Sequence, residues 1–298
     1  MPNGDALQQA REKVKALLEA ARTGAIIPIR LPGQIEEIEK LLEQAEEEAA
    51  EAEKAAKQAA VPADVDELIK ENAKFVSVAV HELRTPMTSI RGYADMLNQP
   101  AMGELNDMQK QFLDVIRTNA RRMESLLADV SYANKVRAKV LKLTPKMDMF
   151  KNVAMGLEKK ARPIAEELGR QLEFDIPDGL PLLNTDGEML QLALMKLIEN
   201  GLRYSPKDTG KVVVRGAADG STLVITIEDN GVGMTEEEIA QLGTLYFRSD
   251  NQVVRDYKGS GLGIPIAYGI IEMLDGSIEV ESTPNEGTKF TVRIKGMS

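Results

Sequence analysis

Apolar residues recur along this chain in two rhythms. Up to about residue 146 they follow helical steps of three and four; beyond it, short strand-like runs alternate with helical stretches. Residues 5–22 predict an amphipathic helix with Leu7, Val14, Leu17 and Leu18 on one side, ended by Gly24 and Pro28. An apolar connector over 25–32 leads to a second helix from Gln34. Its seam is Ile35, Ile38, Leu42, Ala45, Ala49, Ala52, Ala56 and Ala59, a heptad pattern that thins from leucine to alanine and stops at Val61-Pro62. The helical period resumes at Asp64, with Leu68, Phe75, Val76, Val80 and Leu83, and runs to about Leu97. Residues 98–106 contain Pro100 and Gly103 and predict a loop. A partner helix carries Phe112, Ile116, Met123, Leu127 and Val130 to near Leu143, where Thr144-Pro145 breaks it. Two long helices on a short loop form an antiparallel hairpin that cannot bury its apolar face alone, so a dimeric four-helix bundle is expected.

The remainder predicts helices at 150–169, 186–203 and 262–274, and strands at 211–216, 223–228, 277–281 and 289–294. Asp219-Gly220 marks a hairpin turn between the first two strands. The fold class is therefore multidomain α+β: helices, then a helical hairpin, then an α/β sandwich on a mostly antiparallel sheet. The expected domains are 1–61, 62–146 and 147–298.

Composition narrows the chemistry. Acidic residues outnumber basic ones 47 to 37, a net charge of −10, which argues against nonspecific nucleic-acid binding. There is no cysteine, so disulfides, cysteine–zinc sites and thiol nucleophiles are excluded. No apolar run is long enough to span a bilayer, and residues 1–17 lack the apolar core of a secretory signal. A cytoplasmic location is expected, with membrane attachment only through a span upstream of residue 1. The chain has a single histidine, so any imidazole chemistry falls to His81.

Four short constellations carry candidate chemistry. His81-Glu82-Leu83-Arg84-Thr85-Pro86 lies on the first hairpin helix, where His81 and Thr85 share a face and Pro86 is expected to kink it. A base that takes the Nδ1 proton leaves Nε2 free to attack phosphorus, although the pair alone reads more readily as a surface histidine on a polar helix face. Asn200 offers a hard oxygen to Mg²⁺, Arg203 a partner for phosphate, and Tyr204 a ring for a base; the same run can be a helix end capped at Asn200 or Gly201. Asp229-Asn230-Gly231-Val232-Gly233 follows a strand, where glycines admit a ligand and Asp229 can accept from an exocyclic amine, or the run is a simple turn. Gly259-Ser260-Gly261-Leu262-Gly263 opens an apolar helix whose N–H groups suit phosphate, without the lysine of a P-loop.

In this order, about 30 residues apart in the second half, the four motifs resemble the sensor histidine kinases of two-component systems over residues 64–295. The pattern of 1–61 is similar to a HAMP signal-relay module, and also to a plain dimerising coiled coil. The resemblance implies that residues 147–298 form the ATP-binding sandwich shared with gyrase, the mismatch-repair ATPases and a heat-shock chaperone family. It implies Mg²⁺ on Asn200, phosphates near Arg203, adenine against Tyr204, Asp229 reading the adenine amine with Gly231 and Gly233, and Thr288 near the adenine. Phe247 and Arg248, after Tyr246, match a motif in the ATP lid. Gly259, Gly261 and Gly263, with Leu262 between them, match the lid glycines at the phosphates, so 243–261 is expected to be mobile.

By the same resemblance His81 takes the γ-phosphate of Mg-ATP, Glu82 accepts the proton, Thr85 orients water for dephosphorylating the partner, and the phosphate passes to an aspartate of a response regulator. The chain would act as a homodimer, with a hinge near 142–147. One departure stands out: Lys196 occupies the position where the water-attacking ATPases of the superfamily carry glutamate and histidine kinases usually carry asparagine. It disfavours hydrolysis and questions the metal's surroundings. An ATPase switch and a non-catalytic dimeric scaffold are the alternatives.

Overall fold

The computed structural model describes residues 63–297, together with Glu12, Lys13, Lys15, Ala16, Glu19 and Lys40, all helical. The HAMP-like helices over 5–22 and from Gln34, and so most of the expected 1–61 domain, lie outside the described residues.

The first element, α1 (Ala63–Leu97), runs unbroken through Pro86. Its buried residues Ala73, Val80, Met87 and Ala94 recur every seven positions, the spacing of a bundle seam. A 3₁₀ turn at Pro100–Met102 reverses the chain into α2 (Asp107–Arg137). Asn106 and Gln109 start α2 with a reciprocal capping box, each side chain bonding the other's backbone N–H at 2.9 Å. Arg91–Glu124 and Arg117–Asp95, both at 2.7 Å, link the two hairpin helices. The helix α2 ends at Arg137, six residues before the expected Leu143. Lys139 takes a left-handed φ of 52°, so the chain turns without glycine and well ahead of Thr144-Pro145.

The rest forms two layers. Helices α3 (Phe150–Leu168), α4 (Gly187–Tyr204) and α7 (Gly263–Met273) form the helical layer. The sheet comprises β2 (Gln171–Asp175), β4 (Lys211–Asp219), β5 (Thr222–Asp229), β6 (Ser277–Thr283) and β7 (Gly287–Lys295), in the order β2-β4-β5-β7-β6. Only β2–β4 is parallel. The short strands β1 (Lys146–Met149) and β3 (Leu182–Thr185) pair separately, and two five-residue helices, α5 (Glu236–Ala240) and α6 (Gln252–Asp256), lie in the segment between β5 and α7. Gly220, at φ +60°, opens the predicted β4–β5 hairpin turn. Alternation on β5 sends Leu223, Ile225 and Ile227 into one core with Phe150, Leu157, Leu194 and Ile198. Each such side chain contributes roughly 1.5–3 kcal/mol of burial.

Two features connect the hairpin to this sandwich. The C-terminal part of α2 packs on α7, with Ala133 inside the main core and Val130, Tyr132 and Val136 against it. Downstream, Thr144 donates its N–H (2.9 Å) and hydroxyl (3.1 Å) to Asp186 Oδ2. Asp186 also caps α4 by accepting from Glu188 and Met189. Half of the expected hinge at 142–147 is therefore anchored: Thr144 is tethered and Lys146 is already in a strand.

Candidate active site

The end of α4 carries Asn200, Arg203 and Tyr204 into a cavity of about 560 Å³. Asn200 is no helix end: α4 continues to Tyr204 and is capped by Ser205, whose hydroxyl donates to Gly201 O at 2.7 Å. The Asn200 side chain makes no hydrogen bond among the described residues and faces the start of α7 beside Gly263. Gly201 allows the close approach of α4 to β5, since a Cβ there would lie 3.1–3.2 Å from Val212 and Asp229. Arg203 is partly engaged by Glu199 at 3.4 Å. Tyr204 sets its ring edge-on to Tyr257, 6.1 Å between centroids.

Asp229 ends β5 opposite Thr288 of β7. Its Oδ1 accepts the Gly231 N–H at 2.8 Å. Burial pushes its carboxyl up to about 6, against the N–H groups of Gly231 and Thr288, which pull it down, while the charge of Glu228 adds to the rise. At neutral pH the group is ionised in a largely desolvated place, an acceptor suited to an amine. Three glycines surround it with backbone. A Cβ on Gly231 would meet Asp229 Oδ1 at 2.7 Å; on Gly233 (φ +61°), Thr283 O at 1.9 Å; on Gly287 (φ +112°), the carbonyl of Asp229 at 1.9 Å. The Thr288 hydroxyl pairs with Ser282 at 2.9 Å.

Between β5 and α7 the chain folds back on itself as a lid. Phe247 and Gly259 line the cavity, but Arg248 spends its guanidinium on the lid's own carbonyls, Val254 and, at 2.6 Å, Tyr257. Gly261 (φ +70°) receives the backbone of Tyr246 and Phe247 so closely that a Cβ would sit 2.7–2.8 Å from it. The Leu262 side chain is 1% exposed and packs in the core, so only its backbone, at the start of α7, is left to face a ligand.

The hairpin supplies a separate group. The His81 and Glu82 side chains are each 76% exposed, and His81 Nδ1 lies 3.6 Å from Glu82 Oε1, which leaves Nε2 bare. Glu82 thus reaches the imidazole although adjacent residues point apart on a helix. Thr85 Oγ1 donates to His81 O at 3.4 Å. None of the three lines the cavity.

Pattern reading missed Asp129. It lies on α2 in the cavity wall and binds Lys196 Nζ at 2.6 Å, with both side chains 13% exposed. Lys196 thus neutralises a hairpin carboxylate, and nothing local in either segment announces a pair 67 residues apart.

Comparison with known proteins agrees with this geometry. Residues 71–138 match the His Kinase A (phospho-acceptor) domain, and residues 185–297 match the Histidine kinase-, DNA gyrase B-, and HSP90-like ATPase. The chain therefore carries a histidine kinase phosphoacceptor domain followed by a histidine kinase-type ATPase domain. It is 30% identical over 227 residues to sensor histidine kinase RcsC of Escherichia coli K12, covering 76% of this chain and 23% of that protein. It is 28% identical over 272 residues to the autoinducer 2 sensor kinase/phosphatase LuxQ of Vibrio parahaemolyticus, covering 90% of this chain and 31% of that one. The crystal structure of full-length ShkA in complex with AMPPNP shares the fold, with a TM-score of 0.64, 20% identity, and coverage of 76% of this chain and 46% of that one. The chain thus spans about a quarter to a third of these curated relatives' lengths. No helix among the described residues is long and apolar enough to cross a membrane.

Proposed function

We propose that this chain binds Mg-ATP in the cavity beneath the lid, transfers the γ-phosphate to His81, and passes it to an aspartate of a response regulator. The observation that carries the reading is the chain's one histidine, bare at Nε2 with Nδ1 beside Glu82, in a chain that also carries an ATP-binding fold. In the transfer, the Nε2 lone pair forms a bond to the γ-phosphorus while the bond to the β–γ bridging oxygen breaks and ADP leaves; the Nδ1 proton goes to Glu82. Asp229 orients the adenine, and Asn200 would hold Mg²⁺. The Asn200 side chain lines the cavity and makes no hydrogen bond among the described residues, so its hard oxygen is free for that ion. Bound there, the metal neutralises charge on the phosphates.

His81 lies outside the cavity, so transfer requires domain closure or a second copy of the chain. The exposed apolar residues of the hairpin, including Phe75, Phe112, Ile116 and Met123, support a homodimer. Working boundaries are 62–146 for the phosphoacceptor hairpin and 147–298 for the catalytic domain. Thr85, one turn past His81, orients water for regulator dephosphorylation in this reading, and use of ATP puts the reaction on the cytoplasmic side.

The test is incubation with γ-labelled ATP and Mg²⁺, wild type beside His81→Ala. Acid-labile, alkali-stable label on the wild type alone supports the proposal. Phosphate release that survives the substitution would point to an ATPase switch instead.

A further inference from the structure

The cavity has a wall that does not come from the ATP-binding domain. Thr118, Arg122, Ser125 and Asp129 of α2 line it at steps of four, three and four, on one helical face, and Arg121, one turn before Ser125, lines it beside them. The cavity's cations divide sharply. Lys196 is paired with Asp129, Arg203 is partly engaged by Glu199, and Arg248 is held by lid carbonyls. Arg121, Arg122 and Lys258 also line the cavity, and none of them has an ion-pair or hydrogen-bond partner among the described residues. Two of these three uncommitted charges therefore belong to the hairpin, in a chain whose net charge is −10.

Resting on the nucleotide-site reading, we infer that Arg121 and Arg122 bind the polyphosphate of the nucleotide, and that the Lys196–Asp129 ion pair is the pin that holds α2 in register for them to do so. Asp129 is seven residues from Arg122, about 10 Å along the helix at ~1.5 Å per residue. The pin thus meets α4 one turn before Asn200 while the arginines stand two turns away over the same cavity. Arginine suits this task because its charge does not titrate away and its planar fork matches phosphate oxygens. Nucleotide affinity then depends on how the hairpin sits, so a signal that shifts α2 is read as a change in ATP binding. Lys196 and Asp129 are positioning residues; the arginines touch the ligand.

The experiment measures binding of ATP and of adenosine, with Mg²⁺, to the full chain by calorimetry. The Arg121→Ala, Arg122→Ala double variant should lose about tenfold in ATP affinity, the scale of one charge-assisted hydrogen bond, with adenosine affinity within about twofold of wild type. Asp129→Asn should weaken ATP selectively in the same way, and Asp129→Glu should restore it. ATP affinity unchanged in the double variant, or parallel losses for ATP and adenosine, would overturn the inference while leaving the nucleotide site intact. A wild-type chain that binds neither ligand would overturn the nucleotide site itself and this inference with it.

Discussion

Replacing Asp229 with Asn should make the protein more stable and less able to bind ATP. Burial raises this carboxyl from 3.8 to about 6, so keeping it ionised in the folded chain costs ~3 kcal/mol at ~1.4 kcal/mol per pH unit. Because the folded pKa is the higher one, the stability contributed by the neutral form is complete below 3.8 and is lost as pH rises through about 6. The amide is never ionised and escapes that loss. It keeps an oxygen for the Gly231 N–H but loses an acceptor for the Thr288 N–H, a cost of about 1 kcal/mol that does not vary with pH. The pH dependence is therefore the clean observable. Between about pH 4.5 and 7.5 the stability of Asp229→Asn relative to wild type should grow by about 2 kcal/mol, roughly 4–8 °C in melting midpoint. ATP affinity at neutral pH should fall at least about tenfold, because the amide turns a donor toward the adenine amine. A variant–wild-type gap that stays flat across this range would refute the burial argument; unchanged ATP affinity would refute the adenine contact.

Two further substitutions probe other parts of the structure. Asp186→Ala removes an acceptor shared by Thr144, Glu188 and Met189, and should cost roughly 2–4 kcal/mol in thermal unfolding of the full chain. Burial raises the Asp186 pKa, but the bonds from Thr144, Met189 and Glu188 outweigh it and the net shift is downward, so the difference from wild type should persist until pH falls below the ordinary carboxylate range. Thr85→Ala, one turn from His81, should leave labelling of His81 at its wild-type rate and slow loss of phosphate from a response regulator several-fold; failure of the labelling itself would show that Thr85 has another role.

Much of this molecule was legible before folding. The helical period of the first hairpin helix, the Asp219-Gly220 turn, the three sandwich helices and the four chemical motifs all depend on local spacing, and local spacing is written in the chain; which face of that first helix is buried, Ala73, Val80, Met87 and Ala94, was not. Short strands were not legible. Four residues at Lys146–Met149 and four at Leu182–Thr185 carry too little alternation to stand out, and they exist because they pair with each other. The end of α2 was misplaced because Thr144-Pro145 is a conspicuous breaker, whereas Lys139 stops the helix with a left-handed φ that no residue type advertises. Leu262 sat among glycines that border the cavity, and only its packing shows that it serves the core.

By itself, the sequence determined which chemical groups the protein owns: one imidazole, a carboxylate at a strand end, an amide on a helix, and glycines where backbone must come close. Those properties are covalent or local, and they survive any arrangement of the domains. Tertiary structure decided what each group experiences. The raised pKa of Asp229 exists because two strands and a helix remove water from it. Lys196 became the partner of Asp129 because α2 packs against the sandwich, and the same docking brought Arg121 and Arg122 to the cavity. Desolvation and long-range charge pairing depend on distances between segments far apart in the chain, and those distances are set only when the core closes.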